Sequence, residues 1–345
     1  MRVIARALLL LVALVALGWC ALVLAYTIPG SPRLGQVLAG VSIVAGVLGF
    51  WMLGSFPRGL ALVAAVFRAG LLWYLSLQPG QNAGWQPDVA ELPRAELDGD
   101  RLTFHNVRNF DYRSETEFTP RWETRSFDLS KLDGLDMFFS HWSGPAIAHT
   151  IMSWSFSDGQ HLAISIETRK VVGQEYSAIA GFFRQYPIYY VVADERDVVR
   201  VRTNHRGENV WLYRLKTLRP EGPRALLLDY VASINALAER PAWYNALTDN
   251  CTTSIQRHAR HLNPGGNPFD WRLLANGHMP ELLYEQGRLD TSLPFDELER
   301  RGHIDARAKA ADQDPAFSAR IRETESPAAV ENRRGVLGML LERYP

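Results

Sequence analysis

Cysteine is nearly absent: the 345 residues hold two, Cys20 and Cys251. Two cysteines build no disulfide framework, and neither lies in a Cys/His cluster with zinc-ligand spacing. Cys20 falls in an apolar run and Cys251 far outside it, so no bridge between them is expected. An excess of either charge is also missing. Lys plus Arg and Asp plus Glu each number 37. Phosphate backbones demand a basic surface, so nucleic acid is not an expected partner. No tandem repeat or low-complexity block stands out, and nothing calls for a metal or cofactor.

Long apolar runs are present near the N-terminus. Residues 3–26 (VIARALLLLVALVALGWCALVLAY), 36–54 and 59–77 each have spanning length, at about 1.5 Å per residue against a hydrocarbon core of roughly 30 Å. A cleaved signal peptide would be shorter and would not be followed by a second run. Arg68 interrupts the third run. Three spans with Arg68 snorkelling are expected, and two spans plus an interfacial helix are the alternative. Arg2, Arg6 and Arg58 on one side against Arg33 on the other place the N-terminus in the cytoplasm. Everything after about residue 80 would then be periplasmic or extracellular. The expected division is a membrane anchor at 1–78, a linker at 79–97, a soluble domain at 98–325 and a peripheral tail at 326–345.

The clearest local pattern is AIAHTIMSWSF-SDG-QHLAISIETRK, a β-hairpin. A two-residue Asp-Gly turn competes with a three-residue loop, Ser157-Asp158-Gly159, that puts Gly159 in the left-handed position. The binary pattern favours the longer loop, because a one-residue slip flips every side chain. One face then carries Ala148, Thr150, Met152, Trp154 and Phe156 with Leu162, Ile164, Ile166 and Thr168. The other carries His149, Ile151, Ser153 and Ser155 with His161, Ala163, Ser165 and Glu167. In this register His149 lies across from Glu167, where a carboxylate can orient an imidazole. The plainer reading is an ion pair on a solvated sheet face. His161, on the same face, is the reserve partner for His149.

Further along, FDLSKLDGLDMFFSHW looks helical or irregular before a strand. IYYVVADERDVVRVRTNHR reads as two short β-rich runs, and VWLYRLK as a strand. Leu226, Leu227, Tyr230, Val231, Ile234 and Leu237 recur at helical spacing. TDNCTTSIQRHAR reads as a helix start, with Thr248, Asp249 or Asn250 as cap and Cys251 in the first turn. Unpaired N–H groups and the positive end of the helix dipole there favour a thiolate and can hold an oxyanion. Asn250 and Thr252 are flanking candidates for substrate or oxyanion contact. His258 and His261 are expected on a solvated face of that helix. The alternative for Cys251 is a buried structural cysteine.

These segments resemble a known family. IAHT, FSDGQHLAISIETRK, GFFRQY, VVADERDVVRVRTNHRGE and above all WYNALTDNCTTSI are similar to the Lnb N-terminal periplasmic domain family of bacterial membrane proteins. The likeness runs from about residue 100 to 320, and the apolar N-terminal segment is similar to proteobacterial members. The order His, carboxylate, Asn-Cys also resembles the circularly permuted papain-like (NlpC-type) fold shared with the lecithin:retinol acyltransferase group. The resemblance implies an α+β chain: transmembrane helices, then a permuted papain-like domain with an antiparallel sheet packed on helices. It implies Cys251 as nucleophile and His149 as base, while Glu167 as third member comes from the hairpin register. It further implies an enzyme of the bacterial inner membrane, multi-pass, acting from the periplasmic side on a lipid or lipoprotein through an acyl-thioester. The family's namesake is a lipoprotein acyltransferase; here the apolar runs precede the domain. A papain-like peptidase or amidase on cell-wall peptide, and a non-catalytic scaffold, are the competing functions.

Overall fold

The computed structural model describes residues 1–28, 31–80, 84–217, 219–259 and 270–323. The expected tail at 326–345 and His261 lie outside the described residues. The chain divides into two compact units. One comprises Met1–Val89, Thr168–Tyr189 and Glu239–Asn250, and the other Ala90–Glu167, Tyr190–Ala238 and the chain from Cys251 onward.

The first unit is built on three helices, α1 (Arg2–Thr27), α2 (Pro32–Met52) and α3 (Phe56–Ser76). All three are long and apolar enough to cross a membrane. Their starts are local: Ser31 caps α2 by accepting from the Leu34 N–H, with Pro32 in the first turn. Gly35 lets α2 approach α1, since a Cβ there would stand 2.7 Å from the Ala25 carbonyl oxygen. Arg68 falls on an exposed face of α3.

The second unit carries an eight-stranded sheet. Its strands are β1 (Arg94–Asp98), β2 (Arg101–Arg108), β5 (Trp122–Asp128), β6 (Leu132–His141), β7 (His149–Phe156), β8 (His161–Thr168), β9 (Ile188–Ala193) and β10 (Asn209–Arg214). The order is β1-β2-β9-β8-β7-β6-β10, with β5 also on β2; β3 (Asp111–Tyr112) and β4 (Phe118–Thr119) pair separately. The expected antiparallel sheet is in fact mixed, because β2 and β9 run parallel where Arg108 meets Ala193. Parallel neighbours need a long connection, and six strands intervene between these two. β1 begins inside the stretch expected as linker. β6 forms where a helical or irregular run was expected, because it pairs on both sides, with β7 and β10, and buries seven of its ten residues.

The β7–β8 hairpin adopts the three-residue loop. Ile151 pairs with Ser165 and Ser155 with His161, while Gly159 takes φ +85° and donates its N–H to the Phe156 carbonyl at 2.9 Å. The apolar face packs under α5 (Gly222–Glu239), where Trp154 meets Tyr230 at 5.2 Å and its Nε1 donates to the Pro223 carbonyl at 2.9 Å. The polar face is buried too, contrary to a solvated sheet surface: Ser153 and Ser165 are inaccessible. Its cover is a second correction. The run expected as a strand after β9 is helical, comprising α4 (Glu195–Val198) and a π-helical turn over Val201–Arg206. Asp194 caps α4 by accepting from the Arg196 N–H, and Gly207, at φ +66°, ends the π turn.

Candidate functional site

Cys251 is the first residue of α6 (Cys251–Ala259), which packs against β7. Its sulfur receives the Thr150 backbone N–H, the residue directly after His149, and lies 3.9 Å from Thr252 Oγ1. Asn276 fixes this junction. Its Oδ1 accepts from the Ala148 N–H at 2.9 Å, and its Nδ2 donates to the Ala148 carbonyl at 2.5 Å and to Thr252 Oγ1 at 2.7 Å. One buried amide therefore ties the start of β7 to the start of α6.

His149 meets a relay rather than a bare carboxylate. Its Nε2 lies 2.6 Å from Ser165 Oγ, and Ser165 Oγ donates to Glu167 Oε1 at 2.9 Å. Glu167 itself stands 3.7 Å from the imidazole. Since the Ser165 proton goes to Glu167, Ser165 must accept from Nε2–H, which leaves Nδ1 with the lone pair. No hydrogen bond to Nδ1 exists among the described residues, and none joins His149 to Cys251 directly. Arg202 anchors the far end, donating to Glu167 Oε1 at 3.1 Å and to Glu208 Oε2 at 2.9 Å.

These surroundings set the charges. Burial, then Arg202, push the His149 imidazole down to about 3, so it is neutral near pH 7. Burial raises the Glu167 carboxyl, but Arg202 and then His149, Arg108 and Arg206 outweigh it, and Glu167 stays ionised. The Cys251 thiol is pushed up by burial, against opposing hydrogen bonds from Thr150 and Thr252. Burial at this helix start therefore works against the thiolate expected from the sequence. Cys251 and His149 both rest neutral near pH 7.

The other expected residues divide. Thr252 sits beside the thiol. Asn250 donates its Nδ2 to the Ala246 carbonyl at 2.7 Å. His161 is not the third member of the relay: its Nδ1 lies 3.2 Å from the Gly159 carbonyl, at the loop end of the hairpin. There it faces a separate buried group in which Arg322 binds both Asp136 and Glu195. His258 is corrected from solvated to buried. Its Nε2 meets Tyr190 Oη at 2.7 Å, its Nδ1 meets Asp229 Oδ2 at 2.6 Å, and its ring lies 4.1 Å from Tyr230. In the arginine- and aromatic-rich stretch from Arg108 to Arg125, Arg108 binds the buried Asp197 and Arg125 binds Asp194, while Arg113 and Arg121 are exposed and pair with Glu117 and Glu123. Ser165, Arg202 and Asn276 were not singled out from the sequence, although the first shares the hairpin face with His149.

Residues 118–277 match the family described as Lnb N-terminal periplasmic domain. This segment of the chain is similar to that family, which supports the resemblance read from the sequence. The matched segment contains Cys251, His149, Ser165, Glu167, Arg202 and Asn276. No curated protein and no solved structure matches the chain significantly. With its three apolar helices, the chain is a membrane-associated protein carrying this periplasmic domain.

Proposed function

We propose that the Lnb-type domain is a thiol-dependent acyl-transfer enzyme with a permuted papain-like site, multi-pass in the bacterial inner membrane. The observation that carries this reading is the meeting of the first residue of α6 with the first turn of chain on β7. It sets Cys251 against Thr150 while His149 keeps Nδ1 unengaged. Substrate binding would draw the Cys251 proton to His149 Nδ1 as sulfur attacks an acyl ester or amide carbonyl. The relay through Ser165 to Glu167 would steady the resulting imidazolium, and backbone N–H groups at the α6 terminus would receive the oxyanion. His149 then protonates the leaving group, and an amine, hydroxyl or water deprotonated by His149 takes the acyl group from the thioester.

A fatty-acyl donor from membrane lipid or lipoprotein is favoured over cell-wall peptide by the loops next to Ala148 and Asn276. These expose Trp142, Ile147, Trp271 and Leu274, and the Gly277 N–H joins the two loops at the Ala146 carbonyl, 3.0 Å away. Such side chains suit an acyl chain and are poor company for a charged peptide. The test is intact-mass spectrometry of protein purified from membranes. The expected result is a fatty-acyl adduct on Cys251 that is lost in Cys251→Ala. A peptidyl adduct would point to the peptidase or amidase. Absence of any adduct, together with a Cys251→Ala strain matching wild type in envelope lipid and lipoprotein profiles, would point to a scaffold.

A further inference from the structure

We propose that the first unit carries a lipid-facing collar beside its helices, formed by Val172, Tyr176, Ile179, Phe182 and Leu247. It would sit in the headgroup–acyl boundary of the bilayer at the C-terminal end of α3. The proposal rests on reading the three helices as membrane spans.

Composition is the first argument. From Val171 to Phe183 the chain reads VVGQEYSAIAGFF, with Glu175 as its only charge. A loop this apolar should fold inward, yet Val172 is 70% exposed, Ile179 56% and, on the neighbouring segment, Leu247 58%. Keeping such surface in water is unfavourable, and clustered exposure of this kind marks an apolar partner.

Placement decides which partner. The loop is fastened to the end of α3. Tyr74 Oη donates to the Phe182 carbonyl at 3.1 Å. Arg184 Nη1 donates to the carbonyls of Leu75 at 3.1 Å and Leu77 at 3.0 Å, and its guanidinium lies 4.5 Å from the Tyr74 ring. A cation on the last carbonyls of a helix is favourable. Arg184 itself takes φ +52°, a left-handed conformation unfavourable for a residue with a Cβ. The last turn of α1 meets the same loop, with Tyr26 stacked on Phe183 at 5.2 Å. Trp73 Nε1 donates to Thr27 Oγ1 at 2.8 Å, so α1 and α3 end at one level. The second segment joins there: Trp243 Nε1 donates to the Leu77 carbonyl at 3.0 Å, and the Ala246 N–H to the Gly181 carbonyl at 3.2 Å. Tyr26, Trp73, Tyr74 and Trp243 therefore gather at the end of the spans, where Trp and Tyr favour the membrane–water interface. Residues fastened to that level and turned outward meet lipid.

The experiment places nitroxide labels on the full chain in nanodiscs of phosphatidylethanolamine and phosphatidylglycerol, with Cys20 and Cys251 replaced by alanine. One label goes on Ile179→Cys and, against a local disturbance, another on Leu247→Cys. Val41→Cys, midway along α2, is the span control, and Leu97→Cys on β1 the water control. The expected result is that labels at 179, 247 and 41 collide with oxygen severalfold more than with a nickel chelate, and that the label at 97 does the reverse. Nickel access at both 179 and 247 with oxygen dominance at 41 overturns the collar and leaves the spans standing. Nickel access at 41 overturns the spans and the collar with them. Shielding of 179 and 247 from both reagents, with broadening between labels, means a second copy covers the face and also overturns the proposal.

Discussion

Two imidazoles of the second unit, His149 and His258, meet carboxylates in different ways. His258 spends both nitrogens at once, on Tyr190 and Asp229, and its ring is enclosed by Tyr230. His149 spends only Nε2, on Ser165. The carboxylate behind Ser165 is itself held by Arg202, so it orients the imidazole without taking its proton. A ring with both nitrogens engaged is a packing element. A ring with one fixed nitrogen keeps a lone pair to which a proton can be transferred. Among the described residues, the geometry therefore separates a structural histidine from a candidate base.

The largest expected effects set those two residues against each other. His149→Gln should cut acyl-transfer turnover on the order of 10²- to 10⁴-fold, the worth of a positioned general base, with an unfolding midpoint near wild type. His258→Gln should do the reverse. It should lower stability by about 1–3 kcal/mol through lost buried hydrogen bonds and leave turnover within about tenfold. Parallel turnover assays and urea unfolding check both, and exchanged phenotypes would break the assignment. Next in size is Ser165→Ala. Without the bridging hydroxyl the Nε2–H tautomer loses its acceptor, and turnover should fall by at least about tenfold while KM changes little. An unchanged turnover would remove the relay from the account.

Asn276→Ala should cost about 1–3 kcal/mol, since it strands the Ala148 backbone groups, with a smaller loss of turnover; thermal unfolding reads it. The pH dependence is the finest of these tests. His149 is held down from its ordinary 6.5 to about 3. As pH falls, the unfolded chain takes that proton first, so the native state loses stability below pH 6.5 and down to about 3. Glu167, held below its ordinary 4.5, adds a loss only as pH drops under that value. Between pH 6.5 and 4.5 the His149→Gln protein should therefore lose less stability than wild type, as read from urea midpoints across that window. Equal slopes would mean that His149 is not the buried neutral group.

Much of this arrangement is legible in the residues. The Ser-Asp-Gly loop and the alternation on either side of it fix the hairpin register, and with it the placement of His149 opposite Glu167. Apolar length alone marks the three helices, and the polar cap before Cys251 marks the start of α6. Other features depend on tertiary packing. Ser165 lies one pair from His149 on the same face, and only side-chain reach makes it, rather than Glu167, the direct partner. Arg202 comes from a valine-rich run that reads as a strand but coils into a π turn, since β-branched residues bias a segment without deciding it. Asn276 acts across distant segments, where no local pattern reports. His258 was legible in principle: Cys251, Ile255 and His258 recur at i, i+4 and i+7, which places them on one face of α6.

The most direct test of the central claim, that His149 and not His258 serves Cys251, is the alkylation rate of Cys251 by iodoacetamide near pH 7. It would be read on the Cys251 peptide by mass spectrometry in wild type, His149→Gln and His258→Gln. Burial raises the thiol, so reaction should depend on proton transfer to His149. The account predicts slow alkylation in His149→Gln and a near wild-type rate in folded His258→Gln. Equal rates in all three, or slowing only in His258→Gln, would contradict it.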